Sequence, residues 1–427
     1  MSGIRVNEWL HNSGTGGIWQ SSAGNVGIAS SVPTAKLVVT GDANISGITT
    51  AETFVPTVGQ LSNRNLMING AMNVAQYGTS DTSDAQGRTT VDRWSVVWSG
   101  LEEEISRYQE SLSSSDTGPW EKGFRKAWKI QNGNQTGGAD ASGYINPQYT
   151  IEAQDLASSG WNPADPTSKL TLSFWVKSSV AQTFYSYLYV EDGGGDSYSF
   201  SYALSANTWT KVTKTIPGHA DLAVNSDNGG GMTIYLPLFL GTDRTTSGHT
   251  LNQWQSWSGS NRTPDQTTTW YTTNDATWHM TGIQLEVGSV ATPFEHRSYG
   301  EELSRCQRYF YSILNSGWVA RGENGAYVSM GCYFGDAKMS AFLYHPVPMR
   351  ANPTIVIGTG TNYWGIYRAG AEDTFDSLGS IITSTAAPFG NRFQVLEIQS
   401  GVSGTGGHTG VVSAKDTAAY LQFTAEY

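Results

Sequence analysis

Polar and apolar residues alternate in short runs along this chain. Leu170, Leu172, Phe174 and Val176 share one face of a segment whose other face is Thr171, Ser173, Trp175 and Lys177. Between Phe184 and Val190, the residues Phe184, Leu188 and Val190 point one way and Tyr185, Tyr187 and Tyr189 the other. Met232–Leu240 is a further apolar alternating run, and Ile283, Leu285 and Val287 alternate with Gln284 and Glu286. A period of two marks half-buried strands. Several such runs at short spacing predict an antiparallel sandwich. The pattern resumes at Ala326–Met330, Ala341–His345, Thr354–Gly358, Phe393–Ile398 and Tyr420–Ala425, which predicts a second, smaller β-sandwich.

One helix interrupts the strands. Gly288 and Pro293 end the Ile283 run. Ser298 then stands three residues before Glu301, the spacing of a capping box. Glu301 and Glu302 occupy the first turn and Arg305 and Arg308 follow, as the helix dipole favours. Glu301 and Arg305 are spaced to pair, and Leu303, Cys306 and Phe310 form an apolar stripe. This stretch is read as the seam between two β-domains.

The first 60 or so residues are rich in Gly, Ser and Thr, with very short strands expected at Leu37–Val39 and near Ile45–Ile48. Such a segment buries too little apolar surface to offset its own ordering entropy. It is either a flexible linker or a shaft intertwined with other copies. The chain is therefore expected to be all-β, divided as 1–60, 61–297 and 298–427.

Composition narrows the function. Of 427 residues, 49 are Gly and only 14% are charged, which suits short strands and polar turns. A net charge of −11 without a basic stripe argues against nucleic acid. It argues equally against an anionic membrane surface. No apolar run approaches the roughly 20 residues that span a bilayer, so no membrane insertion is expected. The start, MSGIRVNEWLHNSG, lacks the pattern of a signal peptide. The two cysteines, Cys306 and Cys332, are too few for a disulfide scaffold or a zinc cluster.

No catalytic motif is present. The seven histidines show no metal-ligand spacing, and there is no G-x-S-x-G or P-loop. No cofactor and no metal are expected. Glu191–Asp196 and Ser226–Gly231 offer oxygens suited to Ca²⁺, but glycine-rich hairpin turns account for both. Aromatic residues supply the binding candidates, since Trp and Tyr join an apolar body to a polar tip. Trp175, Tyr185, Tyr187 and Tyr189 would form a platform for the apolar face of a sugar, unless a neighbouring subunit or domain covers it. Trp254, Trp257, Trp270 and Tyr271, in a polar stretch with Asn252, Asn261 and Asp265, form a second set. Loop aromatics can equally plug a sandwich end. Tyr363 and Trp364, with Tyr367, form a third.

Four stretches carry a resemblance. QLEVGSVATPFEHRSYGEELSRCQRYF (284–310) resembles a junction of bacteriophage tail-fibre and virion-appendage proteins, where it closes a lectin-like jelly roll. NRNLMINGAMNVAQYGTS with the later VDRW resembles the opening of the same domain; Asn65, Asn69 and Gly70 would make its turn, and Asp92, Arg93 and Trp94 would lead into a strand. FWVKSS…WTKVTKTIPG is similar to the middle of galactose-binding-like jelly rolls. NVGIAS…KLVVTGDANISG resembles the shaft repeat of trimeric phage fibres, which often reads NVGIGT. The resemblance implies a carbohydrate-binding-like jelly roll at 61–297 and an outer tip at 298–427. It also implies a homotrimer, joined to tail or baseplate proteins through its N-terminal segment, around IRVNEWL with Trp9 and Trp19. Such a protein would sit outside the virion and adhere to a host-surface glycan without catalysis. The alternatives are a purely structural virion component and a polysaccharide depolymerase.

Overall fold

The structure, a computed structural model, describes residues 8–10, 17–32, 34–39, 63–135, 137–317, 325–378, 381–382, 391–398 and 401–427. Within them the chain is all-β, with three short α-helices. No helix among these residues is long and apolar enough to cross a membrane. Two compact units are formed, Met1–Thr57 and Val58–Tyr427.

In the first unit, Glu8–Leu10, Gly17–Gln20, Val26–Ile28 and Leu37–Val39 form one sheet, its last pair parallel. Ile18, Ile28 and Leu37 remain exposed there. This agrees with a segment too poor in apolar residues to build its own core. The strand expected near Ile45–Ile48 lies outside the described residues.

The second unit contains two sandwiches. The first sets a six-stranded sheet against a seven-stranded one. The six strands run in the order Thr210–Pro217, Lys169–Ser178, Thr277–Val287, Lys126–Gln131, Ser106–Ser111 and Ser80–Asp81. The opposing sheet holds Phe239–Leu240, Tyr144–Glu152, Gly230–Tyr235, Gln182–Val190, Asp196–Leu204 and Trp254–Ser256, with Ser95–Ser99 paired to Tyr144–Glu152. Leu170, Leu172, Phe174 and Val176 are buried against Phe184, Leu188, Val190, Met232 and Ile234, as the alternation predicts. Trp128 stands between Trp94 and Trp278, with ring centroids 5.6 and 6.5 Å away. The run Met232–Leu240 is two strands rather than one, because Pro237 cannot donate to the ladder.

Strand Thr277–Val287 differs from its expectation in two ways. It is longer, and its inward side changes phase. Trp278 and Met280 face the core before Gly282, and Ile283 and Leu285 face it after. A bulge opposite Ser173 and Trp175 absorbs the extra residue. Gly282 sits in it at φ +62°, with the ring of Phe124 so close that a Cβ would lie 2.4 Å from Cζ. Gln284 and Glu286, expected on a solvent face, are buried. Residues 291–295 fold back over them: Glu286 accepts from the Thr292 N–H at 2.9 Å, and Gln284 accepts from the Glu295 N–H at 2.8 Å.

The helix forms at Tyr299–Gln307, and the Ser298 hydroxyl accepts from the Glu301 N–H at 3.3 Å. Glu301 pairs with Arg305 at 3.0 Å. Cys306 packs with Ile68, Val74 and Tyr309 in a small core of its own. Phe310, expected on the helix stripe, instead begins the strand Phe310–Leu314 and stacks on Tyr77 at 3.6 Å. Cys306 is buried, Cys332 is exposed, and the two are not bridged.

The seam is a buried polar joint. Asn69, at φ +59°, donates its N–H to Glu302, while its side chain bonds the backbone of Val74 and Asp92. Arg93 pairs with Glu426 and lies 3.5 Å from the ring centre of Tyr309. Glu152 accepts from Arg308 and from the Tyr309 hydroxyl, each at 2.6 Å. Burial pushes the Asp92 carboxyl up to about 7, against the Gln76 hydrogen bonds that pull it down.

Beyond the seam, Phe310–Leu314, Leu421–Thr424 and Thr354–Ile357 form a small sheet. A larger one runs Ala371–Phe375, Trp364–Arg368, Thr409–Ala414, Ala326–Gly335, Lys338–Tyr344, Phe393–Ile398 and Ile381–Ile382. Met339, Ala341, Leu343, Leu396 and Val412 from the larger sheet share a core with Leu421 and Phe423 from the smaller.

Candidate functional site

Trp175 lies on the outer face of the six-stranded sheet, opposite Lys211 in register. It lines a groove of about 380 Å³, together with Phe124, Phe294, His296, Ser173 and Lys122 among others. The groove has the size and mixed lining of a small-ligand site. Two segments without strand periodicity build its walls. One is the loop before strand Lys126–Gln131, which brings Lys122 and Phe124. The other is the 291–296 return, which brings Phe294 and His296.

Three rings form one wall. Phe124 meets Phe294 at 4.9 Å and His296 at 5.0 Å, and Phe294 meets His296 at 4.9 Å. His296 Nε2 donates to the Lys122 carbonyl at 2.8 Å, which ties one segment to the other. Trp175 is held from the far side by Gly118, where a Cβ would come within 2.7 Å of the indole. That loop is pinned by Asp116, which accepts from Trp209 Nε1 and Lys177 Nζ, each at 3.0 Å. Burial alone would raise the Asp116 carboxyl, but hydrogen bonds from Trp209, Ser113 and Lys177 hold it down at about 2.

The charge of the groove is opposite to that of the chain. Lys122 and Lys211 reach it, no carboxylate lines it, and neither ammonium is ion-paired among the described residues.

The structure separates the aromatic residues expected to act together. Consecutive strands Lys169–Ser178 and Gln182–Val190 belong to different sheets, so Trp175 and the tyrosines lie on opposite outer faces. A joint platform is therefore not formed. Tyr187 is buried and stacked on Tyr235 at 4.7 Å, and burial pushes its hydroxyl up to about 12. Tyr185 and Tyr189 are half-buried. Trp257 is exposed, 5.4 Å from Tyr189 and 5.5 Å from the Arg262 guanidinium.

The remaining set is mostly core. Trp254 is buried against Tyr198, and its Nε1 donates to the Pro217 carbonyl at 2.7 Å. Trp270 and Tyr271 plug the end of the sandwich. Trp270 Nε1 donates to the Thr277 carbonyl at 3.2 Å, and the Tyr271 hydroxyl to the Gly100 carbonyl at 3.1 Å. Trp364 is buried and donates to the Gly358 carbonyl at 2.8 Å; Tyr363 is half-buried beside the same core. Of these, only Trp257 and Tyr367 are exposed, each over somewhat more than a third of its surface (37% and 39%).

Both turns rich in acids and glycine satisfy themselves. Glu191 accepts from the Thr233 hydroxyl at 2.6 Å, Asp192 from Asn225, and Asp227 from the Gly229 N–H. Among the described residues no three His, Cys, Asp or Glu side chains converge to hold a metal ion.

No family model matches this chain. No curated protein matches it either. Solved structures similar to it include the enzymatically active domain of tailspike protein 4 from bacteriophage CBA120, at 10% identity and TM-score 0.29. That match covers 52% of this chain and 21% of the tailspike chain. A second is the carbohydrate-binding module TmCBM61 in complex with β-1,4-galactotriose, at 11% identity and TM-score 0.26, over 52% of this chain and 98% of the module. A third is a putative sugar binding protein from Bacteroides thetaiotaomicron, at 10% identity and TM-score 0.28, over 53% and 100%. Likenesses this remote do not identify a ligand.

Proposed function

We propose that the Trp175 groove holds a carbohydrate without cleaving it, and that the protein is an adhesin for a host-surface glycan on a virion appendage. One observation carries the reading: a part-buried indole borders a cavity of about 380 Å³ with a wall of Phe294 and His296. A pyranose offers an apolar C–H face and a rim of hydroxyls. The indole suits the first. Ser173, Thr292 and the lysine ammoniums suit the second. Glycoside hydrolysis needs a pair of carboxyl groups across the scissile bond, and none lines the groove. Lys122 and Lys211 favour an acidic saccharide, such as one bearing uronate groups.

The groove is shallow, so single contacts would be weak. Several copies on one particle would bind by avidity. This fits a homotrimer attached through residues 1–60 to tail or baseplate proteins.

The test is an array of neutral and uronate-bearing oligosaccharides probed with the purified full chain. The reading expects binding to acidic members, lost at least about tenfold in Trp175→Ala. Lys122→Gln with Lys211→Gln should remove the preference for acidic over neutral sugars. Unchanged binding by Trp175→Ala, or an array with no signal, would overturn it.

A further inference from the structure

The larger C-terminal sheet leaves one face uncovered. Its inward positions, Tyr333, Met339, Ala341, Leu343 and Leu396, are buried. Its outward positions are also apolar, which a solvent face would not require. Tyr367 opposes Val411, and Val411 opposes Met330. One position beyond the pair Gly331–Ala341, the next strand places Phe342 beside Met330, and Phe342 opposes Val395. An apolar row thus crosses five strands. Tyr344 and Phe393 lie beside it, with the rings of Phe342, Tyr344 and Phe393 all 6.0–6.3 Å apart.

Met330 is 69% exposed, Tyr344 68%, Phe334 53%, Phe342 51% and Tyr367 39%. At about 200 Å² per large side chain these leave roughly 600 Å² of mainly apolar surface open. This is the upper end of what a monomer shows in its largest patch, and it approaches the roughly 800 Å² that a stable interface buries on each partner.

We infer that copies of this chain meet through this face. The five residues of the row are uncharged, and on the same face Glu372, paired with Lys415, lies beyond Tyr367 and Glu397 lies beside Val395, so its complement must be broad and apolar with a polar rim. Among the described residues of the second unit no other sheet face gathers so many exposed large hydrophobic side chains, and the face is its own best match. The contact is independent of the Trp175 groove and supplies a place where multivalent copies would touch.

Cys332 alternates with Met330 and Phe334 on the same exposed face, whereas Cys306 is buried. This provides a readout without mutation. Sedimentation of the full chain, from about 1 to about 50 µM, should show an oligomer. Alkylation of Cys332 by iodoacetamide should slow about tenfold as the oligomer forms. Met330→Glu with Phe342→Glu, both at exposed positions, should lower the assembled mass and restore the fast rate. A monomer throughout, with constant Cys332 reactivity, would overturn the inference. An oligomer in which Cys332 reacts as fast as it does in the double variant would overturn it too, while leaving multivalency through another part of the chain intact.

Discussion

Replacing Gly282 by alanine tests the link between the sandwich and its groove. Gly282 occupies the bulge that reverses the inward side of the central strand, at φ +62°. An L-residue in that region costs roughly 1–2 kcal/mol. The new methyl would lie 2.4 Å from Phe124 Cζ. Phe124 cannot yield freely, since Phe294 and His296 pack on it at 4.9 and 5.0 Å. Overpacking of this kind costs roughly 1–3 kcal/mol. The reduced entropy of the unfolded chain returns about 0.4–1 kcal/mol. The net expectation is a loss of roughly 2–4 kcal/mol. Urea unfolding followed by the near-ultraviolet signal of the sandwich tryptophans measures it. Glycan binding should weaken in the same variant under native conditions, because the displaced Phe124 lines the groove beside Trp175. Stability within about 0.5 kcal/mol of the parent would refute the claim that the bulge requires glycine.

Three further outcomes follow from the seam. Ser298→Ala should cost about 1 kcal/mol in urea unfolding, because the hydroxyl caps Glu301; no change would mean that the cap does not matter. Glu152→Ala removes a fully buried acceptor from Tyr309 and Arg308. With Arg308 part-exposed and able to turn to water, the loss should be roughly 2–4 kcal/mol, and a smaller one would show the joint to be dispensable. The Asp92 carboxyl, raised to about 7 from 3.8 by burial, holds its proton longer when folded. Its stabilising share is complete below pH 4 and is lost as pH rises toward 7, at up to about 1.4 kcal/mol per pH unit. Asp92→Asn should flatten that slope between pH 4 and 7, and an unaltered slope would contradict the assignment.

Much of the fold can be read from alternation, where each strand keeps one phase. Lys169–Ser178 does so, and its four inward residues are those expected. Thr277–Val287 does not, and the bulge at Gly282 hid its first half from a period-two reading. Gln284 and Glu286 look like solvent residues until the return of 291–295 covers them. The capped helix was legible because Ser298 and Glu301 are local partners, but its end was not. Phe310 has helical spacing from Cys306 and nevertheless enters a strand.

The site was legible only at Trp175. Periodicity tells which residues share a strand face, not which sheet the strand joins, so Tyr185, Tyr187 and Tyr189 were grouped with an indole on the far side. Phe124, Phe294 and His296 lie in irregular segments where no period applies. Lys211 meets Trp175 only through strand register, which sequence spacing does not specify. Trp254, Trp270, Tyr271 and Trp364 were drawn from polar surroundings, yet each indole or hydroxyl found a backbone carbonyl and turned inward.

The most direct test is to locate a bound sugar. Crystals of the full chain soaked with a uronate-bearing tetrasaccharide should show a ring stacked on the Trp175 indole, with its carboxylate toward Lys122 or Lys211. Density confined to another surface, or an empty groove at saturating sugar, would contradict the account.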